Sequence, residues 1–194
     1  MTDFVYPESL FGKDAPRWEK QAARLDAILP HIKSRRMAID AGANIGLWSR
    51  RLSKEFNWVM AFEPVSVNFR CLMINAPYRN VIAANIALGQ ENGEIAADVQ
   101  GAYYAQKIPG SRGKMHFKCL PLDYFGLNEV DFLKIDTDGF DHDVLLGSLQ
   151  TIRRCKPVIC VENFQHNGVI TDLLIHENYE QIDTIKQDEI WRSK

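Results

Sequence analysis

The sequence predicts an α/β protein whose mostly parallel central sheet is covered by helices on both faces. Short apolar runs alternate with segments whose apolar residues recur at helical spacing, which is typical of strand–helix–strand units. Two glycines follow the first apolar run directly, as in a tight turn from a strand into a helix. The 194 residues contain no internal repeat or linker. We therefore expect one domain over 1–194, with a helical cap at about 1–34 and a core at about 35–194.

In the first half of the chain, the pattern predicts an N-terminal helix followed by three strands. Asp14 and Pro16 favour the start of that helix, and Pro30 favours its end. The strands are expected at 37–40, 58–62 and 81–88. The helices between them are expected at 47–54 and from 65 up to Pro77. The first part of the sheet is thus predicted to be parallel, since helices connect its strands.

The second half loses this alternation and then regains it. Segment 89–117 is rich in glycine and contains only short strand-like pieces, at 94–99 and 116–119. Beyond it, strands are expected at 130–135 and 158–161, and helices at 141–152 and 169–176. Segments 179–185 and 189–192 are expected to close the sheet as an antiparallel hairpin.

Composition excludes several classes of protein. A net charge of −2 gives no basic footprint for nucleic acid, and no apolar run approaches the length of a membrane-spanning helix. The first residues lack the basic start and apolar core of a signal peptide. The four cysteines form no C-x-x-C pair, so we expect them to be small core residues of a cytoplasmic protein.

The turn after the first strand is predicted to bind one end of a nucleoside-containing ligand. Gly42 and Gly46 are separated by three residues. A dinucleotide fold instead has the spacing G-x-G-x-x-G, in which glycines let a pyrophosphate contact the backbone. Asp40 precedes the turn, and an acid there suits a ligand that carries an ammonium group. These residues favour the amino-acid moiety of S-adenosylmethionine.

Glu63 ends the second strand, where a carboxylate can accept hydrogen bonds from both hydroxyls of a ribose. Gly42 is expected to let the backbone approach the ligand, and Gly46 to allow close packing of strand and helix. Asn44 either caps the helix or contacts the methionine carboxylate. Ala43 belongs to the same expected cofactor-binding turn.

Six blocks of residues occur in the order in which one family carries them. They are 39–46 (IDAGANIG), 61–64 (AFEP) with 68–69 (NF), 85–89 (NIALG), 122–123 (LD), 131–139 (DFLKIDTDG) and 157–162 (PVICVE). Through these blocks the chain resembles the FkbM-type methyltransferases, a branch of the class I S-adenosylmethionine-dependent enzymes. The resemblance implies a Rossmann-like class I methyltransferase fold and methylation of a hydroxyl on a sugar or small polyhydroxylated acceptor. Asp138 stands where the family often has glutamate, and 89–118 carries no family signature.

The resemblance also implies further contacts with the cofactor. Pro64 and Asn68 follow Glu63 and are expected to shape or reinforce its loop. Asn85 and Ile86 lie where class I enzymes contact the adenine, although Asn85 also suits an ordinary turn.

Transfer of a methyl group from a sulfonium to an alcohol needs an acceptor for the hydroxyl proton. The candidates are Asp136 and Asp138, at the end of the fourth strand, and His166, in the loop after the fifth. An alternative is Mg²⁺, which would bind and acidify the hydroxyl. The oxygen ligands for it would be Asp136, Glu162 and Asn163.

Methylation of a nucleic acid or a protein stays open as an alternative, although the charge balance disfavours the former. Two other classes of function also stay open at this point. One is an S-adenosylmethionine-binding protein without turnover that acts through interaction with a partner. The other is a nicotinamide-dependent oxidoreductase, which the G-x-x-x-G turn disfavours. If the protein is the O-methyltransferase that the resemblance implies, we expect a small-molecule or saccharide acceptor and no nucleic-acid or membrane partner. A homo-oligomer in which a second subunit completes the acceptor pocket is a further expectation.

Overall fold

The computed structural model describes residues 4–7, 21–100, 104–106, 115–162 and 168–194. Its N-terminal helical part has a 3₁₀ turn at Ala22–Arg24, helix α1 at Leu25–Ile28 and a second 3₁₀ turn at Leu29–His31. Pro30 lies in that last turn, and Ile32 is already extended, so the helix ends where proline predicts. Asp14 and Pro16, the expected start of the helix, lie outside the described residues.

Strands of two sheets follow. In chain order they are β1 (Met37–Ala41), β2 (Trp58–Phe62), β3 (Val81–Ala84), β4 (Ala87–Leu88), β5 (Gly93–Gln100), β6 (Tyr104–Gln106), β7 (Met115–Leu120), β8 (Val130–Ile135), β9 (Val158–Glu162), β10 (Tyr179–Ile185) and β11 (Asp188–Ser193). The larger sheet has the order β10-β11-β9-β8-β1-β2-β3. Its pairs are parallel except those of β11, which runs antiparallel to β9 and β10. The mostly parallel sheet and the C-terminal hairpin are therefore confirmed.

Helices cover both faces of this sheet, as predicted. The remaining helices are α2 (Leu47–Leu52), α3 (Ser66–Asn75), α4 (Asp141–Leu146), α5 (Leu149–Cys155) and α6 (Val169–His176). Side chains of α1 and α2 share a buried cluster with Ala38 and Phe132. Side chains of α4, α5 and α6 share another with Ile39 and Leu133. Because neighbouring residues of a strand point to opposite faces, β1 and β8 contribute to both clusters.

Two elements differ from the sequence prediction. The third strand was expected over 81–88 with an irregular exit; in the structure it ends at Ala84, and β4 (Ala87–Leu88) belongs to the second sheet. The helix expected over 141–152 is two helices, α4 and α5, which are interrupted at Gly147. A Cβ at Gly147 would lie 1.9 Å from the carbonyl oxygen of Gly89. That close approach, made by residues 58 positions apart, leaves no room for a side chain at position 147.

The irregular middle of the chain builds the second, smaller sheet, with the order β4-β7-β5-β6. Its strands β5 and β7 are antiparallel and contain the two strand-like pieces predicted there. The four cysteines are free, and three of them are buried. Among the described residues, no helix is long and apolar enough to cross a membrane.

Candidate active site

The turn after β1 is shaped by close backbone contacts. The backbone N–H groups of Gly42 and Ala43 both donate to the carbonyl oxygen of Phe62, at 3.0 and 2.9 Å. Gly42 has φ +75°, and a Cβ there would lie 1.9 Å from the carbonyl oxygen of Asp136. Glycine is thus required at position 42 because the turn crosses the chain directly after β8. The sequence had suggested a different reason, namely that Gly42 lets the backbone approach a ligand.

Gly46 fixes the turn on its other side. It has φ +89°, and a Cβ there would lie 2.7 Å from Cδ1 of Leu72 on α3. The close packing expected of Gly46 is therefore present, and its partner is a helix. Between the glycines, Asn44 has φ +51°, and its Oδ1 accepts a hydrogen bond from the backbone N–H of Ile45 at 2.8 Å.

Glu63 is tied to this turn. Its carboxylate accepts hydrogen bonds from the backbone N–H groups of Asn44 and Val65, both at 2.8 Å. The residue is only 4% exposed, yet it forms part of a cavity wall. Burial raises the pKa of Glu63 to about 7, against the opposing effect of its hydrogen bonds to Val65, Asn44 and Asn68.

The loop after Glu63 is held from β3. Asn85 donates through Nδ2 to the carbonyl oxygens of Glu63 and Pro64, at 2.8 and 3.0 Å. Its Oδ1 accepts a hydrogen bond from the Ser66 hydroxyl at 3.0 Å. Asn68 is buried on α3 and hydrogen-bonded to Glu63, in keeping with the expected reinforcement. The adenine contact expected of Asn85 stays a prediction.

Asp40 lies beneath the turn and is fully buried. Its Oδ2 accepts a hydrogen bond from the Ser49 hydroxyl at 2.6 Å, and its Oδ1 lies 3.1 Å from Nζ of Lys134. The chain's own lysine thus stands beside the carboxylate for which a ligand ammonium was expected. Lys134 was missed from the sequence, although a lysine inside the apolar run 130–135 is itself an unusual signal.

Lys134 is 3% exposed and reaches several groups. Its Nζ donates to the carbonyl oxygen of Gly42 at 2.9 Å and lies 3.7 Å from the Asp136 carboxylate. Burial lowers the pKa of Lys134, but the carboxylates of Asp40 and Asp136 outweigh it and hold the pKa above its ordinary value. The ammonium is therefore charged at neutral pH.

Three further carboxylates line the cavity: Asp136, Asp138 and Glu162. Burial, reinforced by neighbouring carboxylates, raises the pKa of Asp138 to about 7 and that of Glu162 to about 8. Burial also raises the pKa of Asp136, although Lys134 opposes it. Asp138 and Glu162 can therefore exchange protons near neutral pH.

The loop that carries Asp138 is held by Asp141, a residue that no sequence motif singles out. The buried carboxylate of Asp141 accepts hydrogen bonds from the backbone N–H and hydroxyl of Thr137, at 2.8 and 3.0 Å. It also accepts one from the backbone N–H of Gly139 at 3.2 Å. Asp138 itself has φ +51°, so this loop is a tight turn fixed from the start of α4.

The cavity lies at the carboxyl ends of β1, β2, β8 and β9, and its volume is about 280 Å³. In parallel sheets, ligands bind at this edge. Gln21 and Arg24 close it from the N-terminal helical part, and Gln187 closes it from the hairpin. An ion pair between Arg24 and Asp188 joins these two walls.

The cavity gathers most of the residues predicted for the site but not all of them. Those that line it are Gly42, Ala43, Asn44, Glu63, Pro64, Asp136, Asp138 and Glu162. Those outside its lining are Asp40, Gly46, Asn68, Asn85 and Ile86. His166 and Asn163 lie outside the described residues. In the part of the chain that is described, no three His, Cys, Asp or Glu side chains are grouped to hold a metal ion. The predicted Mg²⁺ site therefore has no support.

The fold is that of the Rossmann-like class I methyltransferases, as three solved structures illustrate. An FkbM methyltransferase from Methylobacillus flagellatus has a TM-score of 0.58 at 17% identity, over 81% of this chain and 43% of that one. A precorrin-6y C5,15-methyltransferase from Geobacter metallireducens has a TM-score of 0.51 at 11% identity, over 98% of this chain and 95% of that one. A TehB-like SAM-dependent methyltransferase from Corynebacterium glutamicum has a TM-score of 0.50 at 12% identity, over 93% of this chain and 96% of that one.

The sequence narrows this class to a family. The methyltransferase FkbM domain matches residues 40–185, which is most of the chain. The chain therefore belongs to the FkbM methyltransferase family. It spans less than half the length of the Methylobacillus FkbM protein. No curated protein matches it.

Proposed function

We propose that this protein is an S-adenosylmethionine-dependent O-methyltransferase whose acceptor is a hydroxyl of a sugar or small polyhydroxylated molecule. The observation that carries the proposal is Glu63, a buried carboxylate in the cavity wall that is hydrogen-bonded to the glycine turn of β1. Membership of the FkbM family supports methyl transfer as the reaction.

The residues present suit the cofactor. The turn from Gly42 to Asn44 would hold the amino-acid end, and Glu63 would accept hydrogen bonds from the ribose hydroxyls. Each oxygen of Glu63 accepts one backbone hydrogen bond from Asn44 or Val65, and a carboxylate oxygen can accept a second. The cavity of about 280 Å³ is close to the range typical of small-molecule sites. The bound cofactor supplies the electrophilic methyl group.

The acceptor side supplies proton chemistry. Asp136 and Asp138 follow β8, and Glu162 ends the neighbouring strand β9, so the three meet at one edge of the sheet. A carboxylate whose pKa lies near 7 or 8 is a better acceptor for a hydroxyl proton than an ordinary one. Several carboxylates at one wall also suit an acceptor with several hydroxyl donors. A further candidate for this role, His166, comes from the sequence.

The first test is calorimetric titration with S-adenosylhomocysteine. We expect micromolar binding by the wild type and at least tenfold weaker binding by Glu63→Gln, because the neutral amide loses the charge-assisted bonds to ribose. Glu94→Gln is the matched control, since Glu94 is a 73% exposed side chain on the small sheet. Loss of binding in the control as well, or no binding by the wild type, would contradict the proposal.

The second test separates catalysis from binding alone. Purified protein would be incubated with S-adenosylmethionine labelled in the methyl group and a panel of sugars and other polyols. We expect the wild type to transfer the label to an acceptor hydroxyl as a methyl ether, and we expect Asp136→Asn to lose this transfer. Tight cofactor binding without transfer to any acceptor favours the non-catalytic alternative, and binding of NAD instead favours an oxidoreductase.

We also propose that the protein acts in the cytoplasm and forms a homo-oligomer in which a second copy completes the acceptor pocket. Free cysteines, three of them buried, are in keeping with a reducing compartment. Sedimentation at working concentration would test the oligomeric state.

A further inference from the structure

Lys134 is a buried cation between the two halves of the candidate site. It lies on β8, two residues before Asp136, and its side chain is directed under the turn that follows β1. Burying an ammonium group is costly unless oxygen atoms surround it. Which oxygen atoms do so here is therefore informative about why the lysine is present.

The ammonium is surrounded from three directions. It donates to the carbonyl oxygen of Gly42 at 2.9 Å, on the cofactor side, and lies 3.7 Å from the carboxylate of Asp136, on the acceptor side. From behind, Oδ1 of Asp40 lies at 3.1 Å, and Oδ2 of Asp40 is fixed by the Ser49 hydroxyl at 2.6 Å. One ammonium thus touches the backbone of the cofactor turn and a candidate base.

We propose that Lys134 is a positioning residue shared by both substrates: it fixes the Gly42 turn and the Asp136 carboxylate relative to each other, with Asp40 as its buried counter-ion. This inference rests on the proposed methyl transfer. An in-line displacement needs the methyl donor and the hydroxyl aligned, and a misplacement of about 1 Å can cost roughly 100-fold in rate. A group that contacts both halves is placed to set that alignment.

A purely structural role makes a different prediction. If Lys134 only neutralised Asp40, removing both charges together would leave the site intact. Replacing a buried ion pair by neutral groups of similar size is often harmless to stability, whereas removing one partner is strongly destabilising. The double variant D40N/K134M therefore separates the two roles, since methionine has nearly the shape of lysine but no charge or donor.

The experiment compares K134M, D40N/K134M and the control T151V, at a temperature where circular dichroism shows each to be folded. Thr151 is a buried residue away from the cavity, and its hydroxyl donates to Asp123 at 2.7 Å. We expect D40N/K134M to recover most of the melting temperature lost in K134M. It should still bind S-adenosylhomocysteine at least tenfold more weakly than the wild type and turn over on the order of 100-fold more slowly. T151V should lower the melting temperature, because it removes the hydroxyl bond to Asp123, and leave both functional values within about threefold.

Asp136→Asn provides an independent measurement that leaves Lys134 and Asp40 in place. It should lower kcat by a much larger factor than the affinity for S-adenosylhomocysteine, because the Gly42 turn keeps its hydrogen bond to Lys134. Wild-type affinity and turnover in D40N/K134M would overturn the proposal. So would a loss of affinity in that variant with unchanged kcat, since only one half would then depend on the lysine. If the wild type itself fails to bind S-adenosylhomocysteine, the proposed function fails, and this inference fails with it.

Discussion

Glu63→Gln should change the pH dependence of stability in a direction fixed by burial. In the wild type, burial raises the pKa of Glu63 from its ordinary 4.5 to about 7. Between these values the folded chain binds more protons than the unfolded chain, so its stability falls as the pH rises. The favourable contribution is fully present below about pH 4.5 and is lost as the pH rises through about 7. A glutamine cannot titrate and removes this dependence.

The size of the effect follows from the pKa values. Raising the pKa of one buried group from 4.5 to about 7 corresponds to on the order of 3 kcal/mol. From pH 5 to pH 8, the difference in unfolding free energy between the wild type and Glu63→Gln should change by about 2.5 kcal/mol, in favour of the variant at high pH. With a urea dependence of about 1–3 kcal/mol per M, the relative midpoint moves by roughly 1 M or more.

Urea unfolding at several pH values between 5 and 8 measures this difference directly. The amide group of glutamine also faces a backbone N–H of Asn44 or Val65, which costs stability, but that cost is the same at every pH. The other buried carboxylates are present in both proteins, so their contributions cancel except for Asp138, whose pKa is raised in part by Glu63. A difference that stays constant within about 0.5 kcal/mol, or that changes with the opposite sign, would refute the assignment of a raised pKa to Glu63.

Three further predictions concern the walls of the site. Gly42→Ala should destabilise the fold by more than about 2 kcal/mol in urea unfolding, because its Cβ would lie 1.9 Å from the carbonyl oxygen of Asp136; unchanged stability would contradict that contact. Asp141→Ala removes the acceptor of three hydrogen bonds from residues 137–139 and should lower kcat at least tenfold with little change in S-adenosylhomocysteine affinity, measured by methyl transfer and calorimetry. Asn85→Ala should cost about 1–2 kcal/mol in thermal unfolding; a change in cofactor affinity with no loss of stability would instead support direct contact with the adenine.

The sequence by itself was sufficient for the local and repetitive features of this protein. The strands around Asp40, Glu63 and Asp136, the helices between them and the C-terminal hairpin all follow from periodicity and turn chemistry within short windows. Because parallel strands end at one edge, placing Glu63 near the glycine turn also required only the strand order. The family followed from blocks spread over the chain and matches residues 40–185.

Only the tertiary structure decided which charged groups form ion pairs and which residues line the same cavity. Lys134 and Asp40 are 94 residues apart, and nothing in the short window around either one predicts that the lysine, rather than a ligand, lies beside the aspartate. The need for glycine at position 147 depends on the backbone of Gly89, and Arg24, which lines the cavity, pairs with Asp188 near the other end of the chain. Such contacts arise from packing between distant segments. A buried charge is costly unless an opposite charge or a hydrogen-bonding group lies next to it, and that partner comes from whichever segment packs there.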